Sequence, residues 1–421
     1  MIEKIILSKK NIKDYKSVAG AGVINQLKKN AKSLKGKRII HINSTPRGGG
    51  VAEILNNLVP LERSLGINAS WFSFKAPKRF FKITKKIHNA LQGEKINLSV
   101  SEKKFYLNIN KKLAKELNKI PADLFIIHDP QPLAIILSFN NKPMVARIHL
   151  DLSAPNKKVF SLILPILRQY RKIIISLKEF IPKGINKSKV SIIPPAIDPL
   201  DAKHVDISKK KARKILSKFG VNFDKPLISQ VSRFDPWKDP LGVIDAYYLA
   251  KKKIPDLQLI LLGLFLEQDD PQAKVIFEKV KKKAKGNSDI FLFSNPKILK
   301  DKKISNNTFV NAVQRGSDLI LQKSIKEGFG LTATEAMWKS KTVIGGTAYG
   351  LKLQIQNNKT GFIVKNSQEA AQKIVKLLND KSLRRKIGQQ AHLSVKKKYL
   401  ITRLLNDHLK LYKTLIDADD S

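Results

Sequence analysis

The chain is 421 residues long, 42% hydrophobic and free of cysteine, and it carries a formal net charge of +46. That length is too great for one ordinary core and predicts two domains of about 200 residues each. Without cysteine, disulfides and thiolate metal sites are excluded, and a soluble cytoplasmic protein is the expectation.

Apolar runs of four to nine residues, rich in Ile, Leu and Val, recur along the chain. In the first half they are RIIHIN (38–43), INASWFSF (67–74), DLFIIHD (123–129), MVARIHL (144–150), KIIISL (172–177) and VSIIPPAID (190–198). In the second half they are PLISQVSR (226–233), LQLILLG (257–263), DIFLFS (289–294), SDLILQKS (317–324), TVIGG (342–346) and GFIV (361–364). Runs of this length and composition predict strands buried on both faces. Segments such as VAEILNNLVPLERSLG and DPLGVIDAYYLAKKKIP lie between them and read as helices. Strand alternating with helix predicts parallel sheets covered by helices. The pattern resets near 198–225, where PPAIDPLDAKH leads into a lysine-rich helix. The expected class is therefore α/β: two tandem Rossmann-like, doubly wound parallel-sheet domains, 1–205 and 206–395. A helical segment, 396–421, follows, with packing back on the first domain as one option. The ligand site of such a pair is expected in an interdomain cleft, beyond the carboxyl ends of the strands.

Residues just after the strands are then the informative ones. After the first strand, Gly48, Gly49 and Gly50 open a helix, as either an anion-binding loop or a plain tight turn. No Lys-Ser/Thr follows, so this is not a Walker A loop. After the first strand of the second half, Arg233 and Lys238 stand where a ligand phosphate could sit. After SDLILQKS comes EGFGLTATE, in which Glu327 and Glu335 flank the Gly328-Phe329-Gly330 turn and a helix begins. One reading makes Thr332 and Glu335 a capping box and Glu327 a solvated loop carboxylate. The other gives both carboxylates to the hydroxyls of a sugar or ribose.

Glu327-x7-Glu335 around Gly-Phe-Gly resembles the E-x7-E element of the retaining GT-B glycosyltransferases of family four. Arg233, Lys238, Gly49 and Gly50 fall where that family has its phosphate-binding residues, and His149 where it has a histidine beside the reacting sugar. Within the family, HINSTPRGGGVAEILNNLVPL, HNALQG, HDPQP, IHLDLSAPN, PPAIDPL, QVSRFDPWK and EGFGLTATEAMWK are similar to the trehalose glycosyltransferring synthases. Fungal-type trehalose phosphorylases look similar too. The resemblance implies reversible transfer of glucose from ADP- or UDP-glucose to glucose, with retention, giving α,α-trehalose. It implies Arg233 and Lys238 on the departing diphosphate, Gly49 and Gly50 offering it N–H groups, and Glu335 on the ribose. Glu327, Gly328, Phe329, Gly330 and Leu331 would line the donor glucose, and His149 would face it. Asn89, Gln92, His128 and Asp129, with His149, are the acceptor candidates. Alternatives are the phosphorylase, a family-four transferase with another acceptor, and a non-enzymatic polyanion binder.

No carboxylate stands out as a covalent nucleophile, so same-face attack is the mechanism the resemblance favours. The one Asp-x-Asp is Asp417-Ala-Asp419 in the tail, and the seven histidines show no metal-ligand spacing. No cofactor or required metal is expected, although Mg²⁺ could accompany the nucleotide sugar. The lysines are spread along the whole chain and read as solvated helix faces and a compositional bias rather than a nucleic-acid patch. The N-terminus turns charged too soon for a signal peptide. The most apolar stretch, LQLILLGLFL at 257–266, has ten residues, where a membrane helix needs about 20. Expected partners are the small-molecule substrates, with no nucleic acid and no membrane; a homodimer stays open.

Overall fold

The computed structural model describes residues 1–139, 143–222, 224–264 and 271–417. They form two compact units, Met1–Ala196 with Leu400–Ser421, and Ile197–Tyr399. Asp419 and the last two residues of the apolar stretch 257–266 lie outside the described residues.

The first unit is built on seven strands: β1 Ile2–Lys4, β2 Arg38–Ile42, β3 Asn68–Phe74, β4 Leu124–His128, β5 Met144–Arg147, β6 Lys172–Ile175 and β7 Val190–Ile192. They lie in the order β1-β3-β2-β4-β5-β6-β7. All neighbours are parallel except β1, which runs antiparallel to β3. The order reverses at β2, so the crevice between β2 and β4 is the topological switch point. The C-terminal helix Ile401–Asp417 packs in this unit on the helices Ala21–Ala31 and Gly49–Ser64. Asn30 donates to Asn406 at 2.7 Å, and Arg403 donates to the carbonyls of Pro194 and Pro195.

The second unit has six parallel strands: β8 Leu227–Val231, β9 Gln258–Leu262, β10 Ile290–Phe293, β11 Leu319–Gln322, β12 Val343–Gly345 and β13 Phe362–Ile363. Their order is β10-β9-β8-β11-β12-β13, with the reversal between β8 and β11. Side chains alternate across this sheet: Leu259 and Leu261 join one helix-covered core, Ile260 and Leu262 the other. Both faces are dry, which is why the strands read as unbroken apolar runs rather than alternating ones.

The boundary between units falls at Ala196/Ile197 rather than at 205. Residues 197–205 are tied to the second unit by polar bonds that the sequence does not advertise. The Ile197 N–H reaches the Tyr399 carbonyl, Asn311 donates to Ala202 and Val205, and Trp338 donates to His204. Likewise the helix Lys381–Lys398 belongs to the second unit, and the chain enters the first only at Leu400.

Candidate active site

In the second unit, the loops after β8 and β11 flank the switch point and carry the residues the sequence singled out. The β8 loop is held by Asp235, which accepts from the Trp237 N–H at 2.8 Å and caps the turn Pro236–Lys238. Gln230, on β8 itself, donates to the Lys238 carbonyl at 2.8 Å. The Ile325 N–H of the β11 loop donates to the Trp237 carbonyl at 2.8 Å, which joins the two loops. On that frame the Lys238 ammonium pairs with the Glu327 carboxylate, to which the Ser324 hydroxyl also donates at 3.3 Å. The pair is sheltered, with side chains 16% and 13% exposed, whereas Arg233 is 51% exposed beside Asp235. Glu327 is thus not a solvated loop carboxylate: the β8 loop brings a cation to it.

The helix Leu331–Trp338 starts at a left-handed Gly330 (φ 92°) with no side-chain cap. This corrects the capping-box reading. Glycine takes the N-cap, Thr332 falls inside the helix, and Glu335 lies in the second turn, too far along to reach back to the cap. Glu335 is instead 1% exposed, with Lys203 at 2.9 Å on one oxygen and Gln314 at 3.1 Å on the other. Burial pushes this carboxyl up, but Lys203, the His204 ring and Lys339 together hold it well below the usual carboxylate range. Leu331 and Thr332 are the first two residues of the helix, so their N–H groups have no intrahelical acceptor. Phe329 is buried against Tyr399, with ring centroids 5.3 Å apart.

In the first unit, Gly48 (φ 77°) caps the helix Gly49–Ser64 and Gly49 (φ 72°) is its first residue. Both conformations suit glycine, and nothing lies within 4 Å of a Cβ built on Gly49. The loop before it is ordered by Asn43, which accepts from Ser44 and donates to the Thr45 carbonyl. Gly50 follows inside the helix.

Across the switch point, His128 ends β4 and His149 lies just past β5. The His149 N–H donates to Asp129, whose φ of 63° turns the chain at the end of β4. Burial pushes the Asp129 carboxyl up to about 7, against the pull of that N–H and of Arg147. His128 is 1% exposed, and its two ring nitrogens face His41 and His149, each at 3.1 Å. It is therefore not an acceptor contact: both of its polar atoms are already engaged inside the protein. Asn89 and Gln92 stand at the C-terminal end of the helix Lys78–Leu91, largely buried, and make no hydrogen bond with these histidines.

Several supporting residues were not visible in the sequence. Gln354 reaches the Gly-Phe-Gly turn, donating to the Phe329 and Gly350 carbonyls while Thr334 donates to its own oxygen. Lys323 pairs with Asp239 beside the Lys238 loop. Lys203 and Gln314 hold Glu335. The segment PLDAKH, singled out as a linker, carried the only signal for Lys203.

Residues 41–182 match the family described as trehalose synthase, N-terminal domain, and residues 211–393 match glycosyl transferases group 1. The trehalose synthase of Thermococcus litoralis is 42% identical, over 97% of this chain and 97% of that one. The chain belongs to the trehalose synthase family. It is a group 1 glycosyltransferase of GT-B fold. A trehalose phosphorylase of Pleurotus pulmonarius is 26% identical, over 91% of this chain but only 58% of its own length. The solved glycosyltransferase of Rickettsia africae shares the fold, with a TM-score of 0.68 at 21% identity, covering 90% of this family member and 98% of that chain. Among the described residues no helix is long and apolar enough to cross a membrane.

Proposed function

We propose that this glycosyltransferase moves glucose from a nucleoside-diphosphate glucose to glucose, reversibly and with retention, to form α,α-trehalose. The observation that carries the proposal is the clustering at the β8/β11 switch point. An exposed Arg233, the Lys238–Glu327 pair and the start of Leu331–Trp338, which has no side-chain cap, stand on two loops bound to each other. Departure of the donor puts negative charge on the diphosphate and positive charge on the sugar ring. Arg233, Lys238 and N–H groups are fixed donors for the first charge, and each such donor is worth about 2.7–4 kcal/mol in the transition state. The N–H groups at Gly49 and Gly50 are assigned to the same phosphates. Glu327, with the backbone of Gly328 to Leu331, is assigned to hydroxyls of the donor glucose, and Glu335 to the ribose. His149 is assigned to a sugar hydroxyl, with Asp129, Asn89 and Gln92 near the acceptor. The leaving phosphate itself takes the acceptor proton on the same face of the ring, so no protein nucleophile is needed. No metal is assigned to the protein.

The competing reading is the phosphorylase, which uses glucose 1-phosphate as donor. Incubation of the protein with glucose plus ADP- or UDP-glucose, beside glucose plus glucose 1-phosphate, separates the two. Trehalose from the nucleotide sugars is the expected result, and trehalose from glucose 1-phosphate alone would overturn the synthase reading.

A further inference from the structure

Behind His149 runs a chain of side chains that the proposed chemistry does not itself use. His149 Nε2 lies 3.1 Å from His128 Nδ1, and His128 Nε2 lies 3.1 Å from His41 Nδ1. His41 Nε2 lies 3.2 Å from Glu62 Oε2. The other oxygen, Glu62 Oε1, accepts from the Tyr412 hydroxyl at 2.9 Å, and that hydroxyl is 2.7 Å from His408 Nδ1. His41, Glu62 and Tyr412 are 0% exposed and His128 is 1% exposed, so no water competes for these bonds. The chain begins in the C-terminal helix Ile401–Asp417, passes through the helix Gly49–Ser64, and crosses β2 and β4 to the residue beyond β5.

Such a chain has a direction. A neutral imidazole has one N–H and one lone pair. Burial holds His128 and His149 well below the usual histidine range, and nearby Arg147 acts the same way, so both rings are neutral at neutral pH. A carboxylate offers only acceptors, so a neutral His41 gives a Glu62 carboxylate its Nε2–H and keeps a lone pair on Nδ1. His128 must then give its Nε2–H to His41 and keep its Nδ1 lone pair. His149 in turn gives its Nε2–H to His128. Each ring decides the next, and the last is left with an acceptor at Nδ1, to which no described residue donates.

We propose that Glu62, acting through His41 and His128, fixes His149 as the Nε2–H tautomer and so presents His149 Nδ1 as an acceptor for a hexose hydroxyl. Glu62, His41 and His128 are positioning residues. The assignment of His149 to a sugar hydroxyl rests on the proposed glucosyl transfer; the tautomer does not. Orienting partners of this kind are typically worth 10–100-fold in activity where they set the tautomer of a ligand histidine.

The test is ¹⁵N NMR of protein labelled at histidine, which reads each ring's tautomer without any turnover. The wild-type protein is expected to show His149, His128 and His41 all as neutral Nε2–H forms. Glu62→Gln keeps the shape but places an amide N–H₂ toward His41 while its oxygen still accepts from Tyr412. It is expected to reverse the three rings to Nδ1–H and to lower kcat for trehalose formation by roughly 10–100-fold, with little change in melting temperature. An Nδ1–H His149 in the wild-type protein would overturn the proposal even if the variant did not fold. So would an Nε2–H His149 in a folded Glu62→Gln. Reversed tautomers in a protein that makes no trehalose would sustain the relay and overturn the reading of the reaction instead.

Discussion

The Lys238 ammonium and the Glu327 carboxylate form an ion pair between the loops that follow β8 and β11, although 89 positions separate them in the chain. The two loops share a backbone bond from Ile325 to Trp237, so the pair is held from both sides. In the proposed reaction Lys238 acts on the departing diphosphate and Glu327 on the glucose hydroxyls, and each also sets the other's place. Lys238→Ala is expected to lower kcat about 10²–10³-fold, as loss of one fixed donor does. Glu327→Ala is expected to lower it by a similar factor. Because the residues touch, the double variant should lose much less than the product of the two. Steady-state kinetics on the four proteins checks this, and full additivity would show that the pair does not work as a unit.

Glu335 is held below the usual carboxylate range by Lys203, His204 and Lys339 against the cost of burial. Its folded pKa therefore lies under its ordinary value of 4.5. The unfolded chain binds that proton more readily, so the stabilisation is present above this value and is lost as the pH falls below it. Glu335→Gln leaves Lys203 without its counter-charge. Breaking a buried pair from one side costs about 3–5 kcal/mol, so the variant's melting temperature at pH 7 should be clearly lower. The gap to wild type should narrow as the pH is taken down through 4.5. Melting curves across that range check it, and a gap independent of pH would mean that the carboxylate charge is not the source.

How far these features could be read in advance depended on whether their cause was local. Strands β2 to β13 were each marked by an apolar run, because in most of them burial on both faces leaves little room for polar residues; β7, at the sheet edge, is partly exposed. β1 was not: it is three residues at a partly exposed edge, and its anchor is Glu116, which accepts from the Met1 amino group and the Ile2 backbone N–H. His149 came from the family resemblance, whereas positions of candidate residues at strand ends followed from the parallel topology, so Lys238 and Glu327 could be named. Their partners could not. Lys203 meets Glu335 across 132 positions, and His41 meets His128 across 87. The capping-box motif misled because it shares a spacing with a helix whose true cap is the left-handed Gly330.

Arg233, Lys238 and two helix starts supply positive charge or N–H groups, and the Asp-x-Asp of the chain begins at the end of the last helix. Trehalose formation is therefore expected to continue after exhaustive dialysis against EDTA. A large loss that Mg²⁺ restores would show that the nucleotide sugar needs its cation to react here.

Gly350 tests the shape of the EGFG turn without touching a charged group. A Cβ at this position would come within 2.6 Å of the Phe329 carbonyl oxygen, 2.7 Å of the Phe329 Cα and 2.8 Å of the Glu327 carbonyl oxygen. All three are backbone atoms, so a rotamer change cannot relieve the contact. The turn must shift, or the helix Tyr349–Gln354 must move away from it. That helix also carries Gln354, whose amide bonds to the Phe329 and Gly330 carbonyls hold the turn in place. Overpacking of this kind costs about 1–3 kcal/mol. Gly350→Ala is therefore expected to lower the melting temperature by several degrees and to weaken donor binding more than the glucose KM, because the displaced backbone is the one assigned to donor hydroxyls. Calorimetric titration of the nucleotide sugar, beside KM for glucose, checks this. An unchanged donor affinity in a destabilised variant would mean that the helix had moved, the turn had stayed, and Gly350 served packing alone.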